Sequence, residues 1–484
     1  MGTNIVRNTF GVDGTGVTVG TLSDSFDCLG GAAADVTSGD LPAGIDVLQD
    51  ETGCGSGSDE GRAMMQLIHD VAPGADQAFH TAFDGMADFA LGIIELADAG
   101  ADVIVDDVIY FAEPMFQDGI IAQAVDQVVA RGIPYFSAAG NIGRQSYEGP
   151  FRSSGKGNIY PNFGDAHDFD PGPGEDISQQ ITIPEGTRVL LVLQWDEAFF
   201  SVSGPPGSAN DLDIFIADST GTLLAGSFAN NIGGDPVDIV SYFNPVGSGQ
   251  TTFNVLIEKF GSGPDPGLIK YVNFGGGGSV LINEFDTASG TIYGHANAAG
   301  AEAVGAAFYA LTPAFSQNPP LLEPFSSAGS VPILFDTEGS RLAAPEVRLK
   351  PEIVGPDGTS NTFFGIPNPS PDGEGLLNNH EICLIDPLDP LCFFYLFFGT
   401  SAAAPHVAAW VALVLETLLE ILPPVTASTL NDNNAQTPDV IYQALENTAI
   451  EMHTPGFDYD SGFGFIDAVA AYNLLTGGGE AGVK

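Results

Sequence analysis

The spacing of hydrophobic positions changes period twice along the chain. Up to about residue 150, short apolar runs alternate with segments whose apolar residues recur every three or four positions. This predicts strands over 17–23, 77–80, 102–105 and 133–138, and helices over 60–70, 86–98 and 120–130. Apolar strands alternating with amphipathic helices build a parallel, doubly wound sheet covered on both faces. From about 160 to 290 the helical period disappears. Two-residue alternation replaces it in RVLLVLQW, LDIFIAD, VDIVSYF and TTFNVLIE, with Gly, Pro, Asn and Asp between the runs. That texture predicts an all-β sandwich. Helical periodicity returns from about 291. The pattern therefore describes an α/β domain in two halves, 1–155 and 291–484, around an inserted β-sandwich at 160–290.

Composition narrows the possible functions. At 484 residues and 44% hydrophobic, the chain can bury a large core. Its longest apolar stretch, 402–422, contains Pro405, His406 and two glutamates, which suits a buried helix better than a membrane span. The N-terminal stretch has no charged segment followed by an apolar one, so no export signal is read there. A net charge of −49 excludes nucleic acid and anionic membranes as partners and fits a saline or acidic habitat. No feature fixes the oligomeric state. Of the three ways to pair the four cysteines, Cys28–Cys54 and Cys383–Cys392 is the simplest, against the alternative of four free thiols. Paired cysteines imply an oxidising, secreted setting.

Two stretches carry candidate chemistry. In FFGTSAAAPHVAAW, Ser401 opens a small-residue helix, where backbone N–H groups and the helix dipole favour negative charge. A nucleophile and a simple N-cap look alike at such a position. In GSDEGRAMMQLIHDVAPGA, Asp59 and Glu60 open the 60–70 helix, where acids also serve as caps.

GTSAAAPHVA resembles the GTSMAxPHVAG motif of the subtilisin-like serine proteases. YFSAAGN resembles their strand ending on an oxyanion-hole asparagine, which implies that role for Asn141 and a substrate-lining one for Ala138, Ala139 and Gly140. VGTLSDSFD resembles the strand bearing their catalytic aspartate and implies Asp24, with DSF in place of the usual DTG or DSG. AEAVGAAF, LKPEIVGPDG and FDYDSGFGFIDAVAA follow in the family's order. The family's histidine lies in an HGTH motif before a VAP turn; here EGRA precedes HDVAPGA, so Glu60 stands in its place. His69, nine residues on, falls across the helix, His80 ends the following strand, and His295 lies far along the chain.

A glutamate at that position is similar to the Glu, Asp, Ser triad of the sedolisins. Their second helix acid is replaced here by Met64, and Asn141 stands where they use an aspartate. Asp107 occupies the position of a substrate-lining serine, either as a third carboxylate of the site or as a solvated loop acid. NDLDIFIADSTGTLLA resembles the pre-peptidase-type sandwich of secreted bacterial proteases. There Asp211, Asp213 and Asp218 are either a structural calcium set or solvated acids, and no other metal ligand is assigned.

The resemblance implies a secreted serine endopeptidase acting on proteins or peptides through an acyl-enzyme, with no cofactor needed for the chemistry. The alternative is an impaired, protease-like scaffold that binds or adheres. A carboxylate pair in place of histidine implies an optimum between roughly pH 4 and 6.5.

Overall fold

The computed structural model describes residues 1–159, 164–261, 263–368, 394–421 and 438–477. The expected Cys383–Cys392 pair lies outside them.

Seven parallel strands form the central sheet, in the order Ile353–Asp357, Ala301–Phe308, Tyr135–Ala138, Val103–Asp106, Thr18–Ser23, Asp76–Thr81, Asp46–Gln49. Alternate residues of each strand serve opposite faces, as the two-residue period of a strand requires. Val103 and Val105 join one core with helices Glu60–Val71 and Thr400–Ile421, while Ile104 joins another with helices Met86–Asp98 and Ile120–Ala130. Helix Thr400–Ile421 is long and apolar enough to cross a bilayer. Here it is the core helix, with Ala402 through Ala404 and Val407 through Val414 buried against the sheet and its neighbours.

The strands between 146 and 282 pair antiparallel in two sheets. One runs Val237–Phe243, Arg188–Trp195, Ile269–Asn273, Ser146–Gly149. The other runs Leu223–Gly226, Asp211–Asp218, Thr252–Phe260, Gln179–Thr182, Leu281–Ile282, with Gly164–Ala166 also pairing Thr252–Phe260. They share a core around Trp195, Ile214, Phe253 and Tyr271. The first sheet recruits Ser146–Gly149, a short polar strand with no alternation of its own. A second cluster, with Val192 and Val272 against Met115, Phe116 and Tyr293, joins that sheet to the α/β part.

Candidate active site

Three strands of the parallel sheet end in one crevice. Asp24 follows Thr18–Ser23, Asp107 follows Val103–Asp106, and Asn141 lies just beyond Tyr135–Ala138. From the first of these strands the chain moves toward one edge of the sheet, and from the second toward the other. Asp24 and Asp107 thus straddle the point where strand order reverses, which is where open parallel sheets place their sites. The N-termini of helices Glu60–Val71 and Thr400–Ile421 bring Glu60 and Ser401 to the same crevice.

Asp24 is 4% exposed and fully engaged. One oxygen accepts the N–H of Ser25 at 2.5 Å and of Gly61 at 3.4 Å; the other accepts the Ser58 N–H at 2.5 Å and its hydroxyl at 2.6 Å. It therefore serves the start of the Glu60 helix from the neighbouring strand. Asp59, expected as a cap, makes no capping bond and adopts a left-handed φ of 58°. Its buried carboxylate instead accepts from Arg62 at 2.9 Å, Leu29 N–H at 3.1 Å and the Ser25 hydroxyl at 3.0 Å. The next helix residue, Gly61, has no room for a side chain: a Cβ would lie 2.4 Å from the Phe79 ring and 2.9 Å from the Ser25 carbonyl oxygen. That contact presses the helix onto its strand and aims Glu60 at the crevice. A disulfide between Cys28 and Cys54, with Cα atoms 5.1 Å apart, ties the loop after Asp24 to the segment before Glu60.

Burial, and then the Asp24 charge, raise the Glu60 carboxyl to about 7, even though hydrogen bonds with Asp107 and Ser401 pull the other way. Asp107 is raised well above the usual carboxylate range, again by burial first and next by the charge of Glu60. The Ser23 hydroxyl favours its ionised form. Both Asp107 oxygens are buried, and neither has a donor of good geometry while its neighbours are ionised. A proton shared with Glu60 supplies that donor, because two close carboxylates resist ionising together. Burial therefore lifts the acid limb of any Glu60-dependent activity to about pH 7. This lies above the optimum of roughly pH 4–6.5 expected from a carboxylate pair in place of histidine. Asp107 belongs to the cluster and is no solvated loop acid.

Ser401 is 8% exposed at its helix start. Its neighbour Thr400, which the sequence motif does not single out, organises the opposite wall. The Thr400 N–H and hydroxyl donate to Asn141 Oδ1 at 2.9 and 3.1 Å, and the Gly140 N–H donates to the Thr400 hydroxyl at 3.0 Å. With Oδ1 engaged, the Asn141 Nδ2 is left as the free donor. Gly399, at a φ of 115°, keeps the space beside it clear, since a Cβ there would lie 3.0 Å from Nδ2. The arrangement can stabilise negative charge next to a serine hydroxyl.

A cavity of about 240 Å³ adjoins Ser401 and Asn141, and Asp107, Ala138, Ala139 and Gly140 line it. So does His295, whose position the sequence leaves remote. It is 1% exposed, with Nδ1 2.8 Å from Glu113 and Nε2 3.0 Å from Asp106. These two carboxylates outweigh burial and raise it well above the usual imidazole range, so it is already protonated and unable to act as a base. The other imidazoles in question lie away from Ser401. His80 faces its own strand end through Thr81 O at 2.7 Å, and His406 is held by Ala402 O at 2.7 Å. His69 sits in the last turn of the Glu60 helix.

Among the described residues, no group of three or more His, Cys, Asp or Glu side chains is disposed to hold a metal. Asp218 is taken up by its own turn, accepting from Thr220 and Thr222 at 2.6 to 2.9 Å. Asp211 and Asp213 lie near Asp238 of the facing sheet.

The Subtilase family model matches residues 117–464, which include Asn141 and Ser401. No curated protein sequence matches the chain significantly. Among solved structures, the CspB protease of Clostridium perfringens is similar over 98% of this chain and 97% of its own, at 14% identity and a TM-score of 0.53. Fervidolysin from Fervidobacterium pennivorans, a keratinolytic enzyme related to subtilisin, is similar over 96% of this chain and 44% of its own, at 15% identity and a TM-score of 0.38. With the family match spanning most of its length, the chain belongs to the subtilase family and is a serine protease.

Proposed function

We propose that this chain is a secreted serine endopeptidase in which the Glu60 carboxyl does the work of the usual histidine. Ser401 attacks the scissile carbonyl as its hydroxyl proton passes to Glu60. The resulting oxyanion is held by Asn141 Nδ2 and by backbone N–H at the start of the Ser401 helix. Glu60 then gives the proton to the leaving amine, and an acyl-enzyme remains on Ser401. Water repeats the sequence in reverse roles and releases the acid. Asp24 keeps Glu60 basic enough for this exchange, and the proton shared with Asp107 spares the crevice a third charge.

The observation that carries this reading is the placement of the Ser401 hydroxyl where it favours the ionised form of Glu60, beside a pocket whose one imidazole already has both nitrogens engaged. The Cys28–Cys54 disulfide supports an oxidising compartment. The two antiparallel sheets support reading 160–290 as a sandwich inserted between the halves of the catalytic domain. No step needs a cofactor. A serine-directed phosphonate tests the assignment. Wild type should label at Ser401 and cleave casein, and a protein inert to the probe at every pH would be the non-catalytic scaffold instead.

A further inference from the structure

Residues 283–290 carry the chain from the last antiparallel strand, Leu281–Ile282, back to the α/β part, and one peptide bond among them is fixed on both sides. Ala288 has a φ of 43°, a left-handed backbone that an alanine adopts only at a cost. The Asp286 carboxylate accepts its N–H at 2.8 Å and holds it there. On the far side, Gly290 lies against the backbone of Gly329 and Ser330, where a Cβ would come within 2.7 Å of two carbonyl oxygens. The Ala288–Ser289 bond is set between these two anchors.

Three side chains converge on that bond. Lys270, fully buried in strand Ile269–Asn273, donates from Nζ to the Ser289 hydroxyl oxygen at 2.7 Å. Ser146, also fully buried, donates to the Ser289 carbonyl at 2.8 Å, and its oxygen lies 2.7 Å from the Ser289 hydroxyl. Arg144 Nη1 reaches the Ala288 carbonyl oxygen at 3.4 Å. Burial lowers the Lys270 ammonium to about 8, although the Glu148 carboxylate 3.3 Å away opposes that shift. Arg144, the other charged group acting on it, adds to the lowering. Gln194, opposite Lys270 on the neighbouring strand, is neutral, and Asp286 is turned to the Ala288 N–H. A lysine that releases its proton near neutrality can take one from a serine, as a Ser–Lys pair requires.

A nucleophile, a base, a donor on a carbonyl oxygen and a strained backbone thus meet at one bond. The Ser289 hydroxyl can reach the Ala288 carbonyl carbon by closing a five-membered ring. We propose that the chain cleaves its own Ala288–Ser289 bond through the Ser289 hydroxyl, with Lys270 as base and Arg144 on the carbonyl oxygen. The Ser289 oxygen bonds to the Ala288 carbonyl carbon as its proton passes to Lys270. The carbon–nitrogen bond then breaks, and Lys270 returns the proton to the Ser289 nitrogen, leaving an ester between Ala288 and the Ser289 oxygen. Water adds to that ester and releases the Ala288 carboxylic acid and the Ser289 hydroxyl. Relief of the left-handed Ala288 favours the cut. Its two products stay associated, because strand Ala301–Phe308 of the second pairs with Tyr135–Ala138 of the first.

None of these residues lines the Ser401 crevice, so the proposal stands apart from the reading of that site. The test uses the full chain as Ser401→Ala, which removes cleavage by the crevice, incubated at pH 7 and pH 9 and followed by intact mass and N-terminal sequencing. Two pieces should form, one ending at Ala288 and one beginning at Ser289, at a rate independent of protein concentration and about 10-fold faster at pH 9. Hydroxylamine should capture the ester as a hydroxamate on Ala288. Added to that background, Ser289→Ala should stay whole and Ser289→Cys should still cut, while Lys270→Met should slow the cut at least about 10²-fold. Thermal unfolding of each variant verifies its fold. A chain that stays whole at both pH values and in hydroxylamine, cuts only at other bonds, or a cut that persists in Ser289→Ala would overturn the proposal.

Discussion

Two regions of this molecule bury carboxyl groups side by side, and only one of them is the proposed site. In the parallel sheet, Glu60 is raised to about 7 and Asp107 well above the carboxylate range. Between the antiparallel sheets, Asp213 and Asp238 face each other from different strands, raised by burial to about 8 and about 7. One oxygen of each lacks a partner while both are ionised, so this pair too needs a shared proton. The electrostatics of the two pairs are alike. Their surroundings are not: Glu60 is influenced by a serine hydroxyl at a helix start, beside a free amide donor and an open cavity. Asp213 and Asp238 are 5% and 2% exposed, and the hydroxyl beside Asp238, that of Ser227, follows strand Leu223–Gly226 and does not open a helix. A perturbed carboxyl reports burial first; chemistry also requires a hydroxyl set beside an oxyanion donor and an open cavity.

This contrast can be broken or sharpened by substitution. The largest effect belongs to Ser401→Ala, which should lower turnover about 10⁶-fold, the size found for the same loss in subtilisin. Casein cleavage persisting at a measurable fraction of wild type would move the nucleophile elsewhere. Glu60→Gln retains shape but cannot take the serine proton, so turnover should fall about 10²–10⁴-fold. If Glu60 served only its helix, the cost would be at most about 1 kcal/mol of stability with activity kept. Asn141→Ala should cost about 10²–10³-fold in kcat, again a magnitude established on subtilisin. A loss under threefold would assign the oxyanion to another donor.

The smallest effect on activity is expected from Asp213→Asn, under about twofold, because that pair touches no substrate. Its signature lies in stability instead. The folded pKa values of Asp213 and Asp238, about 8 and about 7, exceed those of an unfolded chain. Their protonated forms thus favour folding fully below about pH 4, and the contribution fades as pH rises through 7 to 8. Wild-type Tm should fall between pH 5 and pH 9, and less steeply in Asp213→Asn. Salt should recover the part due to surface repulsion at net charge −49 but not the buried part. Equal slopes for the two proteins would show that the pair does not titrate as described.

Much of the α/β part is legible in the sequence, because its helices are amphipathic and its inner strands apolar. The predicted helices over 86–98 and 120–130 coincide with those observed. Strand Asp46–Gln49 is missed, since an edge strand exposed on one side has no apolar pattern to betray it. The short helices Thr3–Phe10 and Ala32–Ser38 are missed as well; the first buries only Val6, and the second only Ala32 and Asp35. At the site, Asp24, Glu60, Asn141 and Ser401 can be singled out by motif, but their protonation cannot, because burial comes from the packed crevice. Thr400 and His295 escape for the same reason. Thr400 acts through Asn141, and His295 reaches the pocket only when strand Ala301–Phe308 takes its place beside Tyr135–Ala138. Phe274 lies 133 residues beyond Asn141 in sequence, and only the packing of the two parts brings it to the cavity.

The central claim is that the Glu60 carboxylate takes the proton of Ser401, and the pH dependence of kcat/KM in wild type and Glu60→Gln tests it most directly. A base acts only when ionised, so wild-type kcat/KM should rise with pH through about 7, where Glu60 releases its proton. It should fall again once the proton shared with Asp107 is lost. Glu60→Gln should keep only residual activity, without the limb near pH 7. A Gln variant within a few-fold of wild type, with the same acid limb, would contradict the account and leave Glu60 an acid buried at the start of a helix.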